Sequence, residues 1–336
     1  MSIPNKFNSF RINRDEDGHH AGVEKISLAD LCEGDVTIKV AWSSVNYKDA
    51  LAGTGKGKIL RSYPLAGGID VAGHVLESDS DRFVAGDPVL TTGCSLSETR
   101  DGGYSEFLRL DSNWVVPLPD GLTLRESMGL GTAGFTAALC LWHMEINGQT
   151  PAAGPIVVSG ASGGVGSIAI DLLTTAGYEV HAISGKLDQW EYLEALGARQ
   201  CISSKDLYWG EGLLETPHWA GAIDNVGGDM LNGLTRVIKP FGNIASCGMA
   251  GGIGLNTSVM PFIIRGIKLL GINSALTPMD VRKSIWERLS GQWKPAHLDM
   301  IVRNQTDLDG LQEVFDRMLD SNSTGRTVVR VDPAAL

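Results

Sequence analysis

Residues 155–170 read PIVVSGASGGVGSIAI: an apolar run, a cluster of small residues, then apolar positions at helical spacing. The run suits a buried strand and the stretch from Gly164 suits a helix, so the small residues between them form a tight turn. Such a turn is either the phosphate cradle of a dinucleotide-binding unit or only a link between two buried elements. In the dinucleotide fingerprint the glycine positions fall on Ala161, Gly163 and Gly166. Gly163 lets the backbone approach a pyrophosphate, and Gly166 permits close packing of helix on strand. Alanine at the first position weakens the motif. The strand before it and the helix amides after it favour an anion.

Downstream, YEVHAIS, RQCIS, WAGAIDNVGG, GNIASCG and IKLLGINS read as strands, separated by the helical segments LDQWEYLEALGA and DMLNGLTRVIKP. With IVVS they make six strands up to about Ser274. Val- and Ile-rich strands alternating with helices predict a doubly wound parallel sheet covered on both faces, a Rossmann arrangement. Residues 1–125 differ. DVTIKVAWSS, GIDVAGHVLES, DPVLTTG and GGYSEFLRLDSNWVVPLP are short strands between Gly, Pro and Asp turns, which predicts a β-rich unit. DGLTLRESMGLGTAGFTAALCLWHM reads as a long helix pair, and the late strand GRTVVRV returns to the β unit. The expected fold class is therefore α/β, with a β-rich domain at 1–125 plus 291–336 and the Rossmann domain at 126–290.

The end of the second Rossmann strand bears on cofactor choice. An NAD site wants an acid there for the ribose 2′-hydroxyl. This chain has Ser184, Gly185 and Lys186 instead, a hydroxyl, a backbone amide and an ammonium that suit a 2′-phosphate. NADPH is the expected cofactor.

The 336 residues are 43% hydrophobic and 20% charged, with 42 glycines, enough to bury the cores of two domains. A net charge of −11 argues against nucleic acid or an anionic membrane as a general partner. The first 20 residues lack a signal-peptide apolar core, and Arg265 and Lys268 interrupt the most apolar stretch, so a cytoplasmic protein with no membrane span is expected. Five scattered cysteines without a C-x-x-C pair read as reduced packing residues, and no Cys/His spacing suits zinc. His19 and His20 read as solvated residues of a polar loop.

Taken with WSSVNYKDALAGTGKG (42–57), GGIDVAG (67–73), GTAGFTA (131–137), MPFIIR (260–265) and TGRTVV (324–329), these segments resemble the medium-chain dehydrogenase/reductase superfamily. Within it they resemble the acryloyl-CoA reductase family (AcuI/YhdH type), a neighbour of the quinone oxidoreductases. The resemblance covers nearly the whole chain. It implies a GroES-like catalytic domain beside the Rossmann domain, NADPH dependence and a homodimer. The apolar edge strand KLLGINSAL is the expected contact between copies. Zinc-dependent members carry a Cys where this chain has Asn46 and a GHE motif where it has Gly68, Ile69 and Asp70, which implies a metal-free reductase.

By the same resemblance Ser162, Gly163, Gly164 and Val165 form the phosphate loop, and Ser184, Gly185 and Lys186 hold the 2′-phosphate. Tyr47, Met249, Ile263 and Ser274 match positions around the nicotinamide half, and Arg199 adds charge near the adenosine phosphate. The N-terminal segment INRDEDGHHAG is read as a longer loop with no assigned role.

Without a Lewis acid, reduction of a carbon–carbon double bond conjugated to a carbonyl asks less polarisation than reduction of a ketone. The protein must align the partners and supply donors to the developing enolate oxygen. Tyr47 is the candidate donor, proton source or nicotinamide contact; the alternative is that it only packs. Asp49 and Asp70 read as structural braces rather than bases. Lys56, Lys58 and Arg61, in a stretch without acids, either receive coenzyme A phosphates or form a solvated loop. The expected reaction is reduction of a short 2-enoyl-CoA, acryloyl-CoA first. An NADPH:quinone or general enone reductase and a non-enzymatic NADPH-binding structural protein stand as alternatives.

Overall fold

Continuous Val and Ile runs have nowhere to sit except between two covered layers, and the chain places them there. The computed structural model describes residues 3–335. By packing it divides into two units: residues 1–132, 275–286 and 298–336 form one, and residues 133–274 with 287–297 form the other.

In the first unit the strands are β1 (Phe7–Asp15), β2 (Gly18–Ile26), β3 (Val36–Ser44), β4 (Leu65–Ala66), β5 (Asp70–Ser78), β6 (Pro88–Thr92), β7 (Phe107–Leu110) and β8 (Val116–Pro117). Helix α1 (Tyr47–Gly53) follows β3, and α2 (Leu124–Ile146) begins here. β1, β2 and β4 form a three-stranded sheet in the order β2-β1-β4. The segment read as a long N-terminal loop is in fact the β1–β2 hairpin, paired from Phe7↔Ile26 to Asp15↔Gly18. His19 is not simply solvated: its Nε2 lies 3.0 Å from the Gly53 carbonyl, and its ring would be 2.7 Å from a Cβ on left-handed Gly55. It therefore braces the end of α1.

In the second unit β9 (Ile156–Ser159), α3 (Gly164–Thr175), β10 (Val180–Ser184), α4 (Trp190–Ala195), β11 (Ala198–Ser203), β12 (Trp219–Asp224), α5 (Gly228–Val237), β13 (Ile238–Ser246), α6 (Met260–Ile264) and β14 (Lys268–Gly271) follow in turn. The six strands pair in parallel in the order β11-β10-β9-β12-β13-β14. This is the doubly wound order with its switch point between β9 and β12, so the expected Rossmann sheet is present. Both switch-point strands are buried throughout. Each fully buried Val or Ile there contributes about 1.5–3 kcal/mol of transfer free energy.

Helix α7 (Met279–Ser290), α8 (Leu298–Ile301), β15 (Val302–Thr306), α9 (Leu311–Leu319) and β16 (Arg326–Arg330) complete the chain. β16 pairs antiparallel with β3 (Val328↔Ser44), returning the C-terminal strand to the seven-stranded sheet of the first unit as expected. Residues 126–132 and 275–286, assigned on the sequence to the Rossmann domain, pack with the first unit. Buried Arg282 donates to the Thr92 carbonyl at 2.7 Å, and Thr132 donates to Asp70. Among the described residues no helix is long and apolar enough to cross a membrane.

Candidate functional site

At the carboxyl ends of the parallel strands the dinucleotide turn takes the form that its small residues allow. Gly160, not Ala161, supplies the left-handed turn, with φ +58°; Ala161 is fully buried and its N–H donates to the Ile183 carbonyl at 3.1 Å. A Cβ on Gly166 would lie 2.4 Å from the Gly160 carbonyl oxygen and 2.7 Å from the Ala161 Cα, so helix and turn meet only because that position is glycine. Gly163 is the N-cap of α3 and offers no side chain to the first-turn amides, which leaves them for an anion. Gly164 and Val165 belong to that first turn.

Ser162 and Ser184 come together across the turn, Ser184 Oγ donating to Ser162 Oγ at 3.3 Å while accepting from the Lys186 N–H at 3.1 Å. Both hydroxyls are largely buried, Gly185 is exposed and Lys186 is half-buried. Burial pushes the Lys186 ammonium below its ordinary value, against the attraction of Asp188. Ser184 stands opposite Ser203 in the register of β10 with β11, which brings in a residue that sequence reasoning missed. Exposed Lys205 lies two residues past Ser203 as Lys186 lies two past Ser184, and each donates its N–H to the Oγ of that serine. Its signal is the strand register, which no local motif shows.

Met249 and Ser274 follow the carboxyl ends of β13 and β14, and Met249 is exposed. Arg199 and Ile263 stand on other elements. Arg199 lies at the start of β11, where its neighbour Ala198 is level with Val180, so it sits at the amino end of the sheet and not beside Ser184. Ile263 lies on α6, and the adjoining Arg265 donates to the Arg236 and Ile238 carbonyls at the amino end of β13. The chain has by then run back along α5, with Thr257 bonded to Thr235.

In the first unit Tyr47 opens α1 and is 48% exposed. Its placement rests on a buried polar cluster. Asn46 caps α1 in a reciprocal box with Asp49, whose carboxylate accepts from the Asn46 N–H at 2.9 Å and the Ile69 N–H at 2.9 Å. Asn46 Nδ2 also donates to Asp70 at 2.7 Å, and its Oδ1 accepts from Arg326 at 3.0 Å. Asp70 further accepts from Ser44 Oγ at 2.6 Å and from the N–H and hydroxyl of Thr132. Arg326 faces Asp70 at 3.8 Å and donates to Ser44 Oγ at 2.7 Å.

Gly131, at φ +51°, breaks α2 beside this cluster. A Cβ there would lie 2.5 Å from Asp70 Oδ2 and 2.7 Å from both Arg326 Nη2 and Ser44 Oγ. Asp49 and Asp70 are thus braces, as read from the sequence. The positions that carry ligands in zinc-dependent relatives hold Asn46, committed to this network, and buried Ile69. Among the described residues no group of three or more His, Cys, Asp or Glu side chains is arranged to hold a metal ion.

Beside Tyr47, Lys48 pairs with Glu98, and burial lowers its ammonium from the ordinary value. Lys56, Lys58 and Arg61 are exposed on the loop that leaves α1.

Two family models match the chain: residues 32–120 match the alcohol dehydrogenase GroES-like domain, and residues 164–290 match the zinc-binding dehydrogenase family. The putative quinone oxidoreductase YhfP of Bacillus subtilis (strain 168) is 43% identical over 97% of this chain and 99% of its own length. The crystal structure of that protein with NAD bound aligns at a TM-score of 0.94, covering 98% of this chain and 100% of the other. The probable acrylyl-CoA reductase AcuI of Escherichia coli (strain K12) is 43% identical over 93% of this chain and 96% of its own. The yhdH oxidoreductase of Salmonella enterica in complex with NADP aligns at a TM-score of 0.93 with 41% identity, covering 97% of this chain and 100% of the other. The chain belongs to the medium-chain dehydrogenase/reductase superfamily, in the branch that holds the acrylyl-CoA reductases of the AcuI/YhdH type.

The buried cluster makes stability depend on pH. Burial and the neighbouring Asp70 push the Asp49 carboxyl up to about 7, from 3.8 in an unfolded chain. Its folded-state value is raised, so its contribution is fully present below about pH 4 and is lost as pH rises through 7. Thermal melts of the wild type should show the midpoint falling from pH 5 to pH 8. Asp49→Asn, which has no such titration, should flatten that window whatever its absolute stability. An equal slope in both proteins would show that other groups set it.

Proposed function

We propose that this oxidoreductase uses NADPH to reduce the α,β double bond of a short 2-enoyl-CoA thioester, acryloyl-CoA first. The observation that carries the cofactor half is the carboxyl edge of β10 and β11, where Ser184, Lys186 and Lys205 stand and no carboxylate closes the strand. The reductase half is supported by the AcuI relative, named a probable acrylyl-CoA reductase, and the NADP-bound yhdH structure.

The residues present fit the cofactor. Gly160, Gly163 and Gly166 leave the close approach that a pyrophosphate needs, the α3 amides face it, and Ser162, Ser184, Lys186 and Lys205 offer donors to a 2′-phosphate. When bound, NADPH supplies a hydride. Adding it at the β-carbon of a conjugated thioester leaves negative charge on the carbonyl oxygen and an α-carbon to be protonated. We assign Tyr47 as the hydroxyl donor to that oxygen. The Asn46–Asp49 box fixes the backbone from which its side chain projects, so the donor is positioned before substrate arrives. Met249 and Ser274 are assigned to the nicotinamide side by their place after β13 and β14. The relative named a putative quinone oxidoreductase favours a second reading, quinone or enone reduction by the same residues.

We further assign a cytoplasmic homodimer. β14 is an outer strand of the parallel sheet, and Phe241, Val259, Ile263 and Ile264 are exposed nearby in the chain. Unpaired edges with apolar neighbours are closed most simply by a second copy. Light scattering at micromolar protein should give twice the chain mass; a monomer refutes this assignment.

Lys186→Ala should raise KM for NADPH by the loss of a charge-assisted contact, about 1.5–3 kcal/mol, and leave KM for NADH nearly unchanged. Equal wild-type KM values for the two cofactors would overturn the cofactor assignment. The substrate is tested by comparing kcat/KM for acryloyl-CoA with that for a quinone panel; better efficiency with quinones selects the second reading.

The exposed cations Lys56, Lys58 and Arg61 are assigned to the CoA phosphates. Neutralising all three should raise KM for acryloyl-CoA in a salt-dependent way while sparing a small uncharged enone, because screened rim charges act on encounter and ground-state binding. An equal loss for both substrates would place the loop's role in the fold instead.

A further inference from the structure

A cavity of about 320 Å³ lies in the second unit, lined among others by His181, Gln200, Tyr208, Trp209, His218 and Trp219. Small-molecule sites start at about this size. It is not the dinucleotide turn. His181 is level with Val157 and Gln200 near the starts of their strands, and Trp219 is the first residue of β12. The cavity reaches from the amino ends of β10 and β12 along β11 as far as Ile202 and the loop that follows, and its lining includes neither Ser184 nor any residue of the glycine turn.

Its walls are held in place. Trp219 Nε1–H donates to His181 Nδ1 at 3.0 Å, which leaves the His181 proton on Nε2, where it donates to Glu179 at 3.1 Å. Trp209 stands against Trp219 with ring centroids 6.5 Å apart and planes at 69°. The Trp209 ring occupies the space above Gly233 of α5: a Cβ on Gly233 would lie 2.0 Å from it. The same loop is tied to α5 by Arg236 donating to the Gly210 carbonyl at 3.2 Å and by the Glu215 N–H donating to the Arg236 carbonyl at 3.1 Å. Tyr208, 79% exposed, lines the cavity together with exposed Gln200 and His218.

The chemistry of this lining selects a ligand class. Indole, phenol and imidazole faces stack on flat rings, and the Gln200 amide and His218 ring offer edge hydrogen bonds. No Lys, Arg, Asp or Glu lines the cavity, and the nearest carboxylate described, Glu179, is engaged with His181 Nε2, so the lining itself offers no charged side chain to an ion. We propose that this cavity is a binding site for an uncharged, flat aromatic molecule of one or two rings, separate from the dinucleotide site.

The test is calorimetric titration of the NADPH-saturated full-length protein with three probes: indole, benzoate and benzyltrimethylammonium. Indole should bind saturably, at least about tenfold more tightly than either ion. Leu207→Trp, which fills the cavity from its own lining, should weaken indole about tenfold or more and leave KM for NADPH unchanged. Tyr208→Ala, a change at a lining residue that is 79% exposed, should weaken it severalfold. Absence of saturable indole binding would overturn the proposal. So would tightest binding by benzyltrimethylammonium, indole binding that NADPH abolishes, or affinity unaffected by the Tyr208 variant.

Discussion

Arg326 reaches across 280 positions of sequence to donate to Asn46, and the first unit is organised around that contact. A buried guanidinium is costly to desolvate, so it persists only where acceptors surround it. Here it donates to the carbonyls of Val45 and Gly129, to Asn46 and to Ser44, and it faces Asp70. One cation thereby fixes β16 against β3, the cap of α1 and the break in α2. Removing it would leave the buried Asp70 carboxylate with its hydrogen-bond donors but without the cation that faces it.

That arrangement explains why the catalytic candidate sits where it does. Tyr47 is exposed, yet the residues on either side of it in the cap, Asn46 and Asp49, are buried and fully engaged. An exposed side chain on a capped, hydrogen-bonded backbone suits a donor that must meet charge as it develops, because the reorganisation has been completed by folding. Tyr104 reinforces the same corner, donating from its buried hydroxyl to the Ser44 carbonyl at 3.0 Å. Its phenol is pushed well above its ordinary value by burial and by the nearby carboxylates, so it serves as a fixed donor.

The second unit depends on a different constraint, the common direction of six parallel strands. Parallel pairing brings every strand's carboxyl end to one edge, so residues far apart in sequence but equally placed on their strands become neighbours. Ser184 meets Ser203 by that rule alone, and Lys186 and Lys205 each follow two residues further on. The same rule separates Arg199 from them, since it stands on the right strand at the wrong end.

Much of this was legible in the chain. Residues 155–170 and the alternation after them specify a doubly wound sheet, because only a two-sided core hides such apolar runs. Ser184, Gly185 and Lys186 led to the expectation of NADPH because an absent carboxylate is as plain in sequence as a present one. Tertiary structure alone decided the rest. That Gly160 takes the left-handed turn depends on the buried seat of Ala161, and that His19 braces α1 depends on the β1–β2 hairpin, which a polar, charge-rich segment conceals. Gly131 reads as a helix residue until Asp70, Arg326 and Ser44 fill the space where its Cβ would stand. Local propensity is written residue by residue, but register and close approach belong to pairs of residues, and only the folded chain sets them.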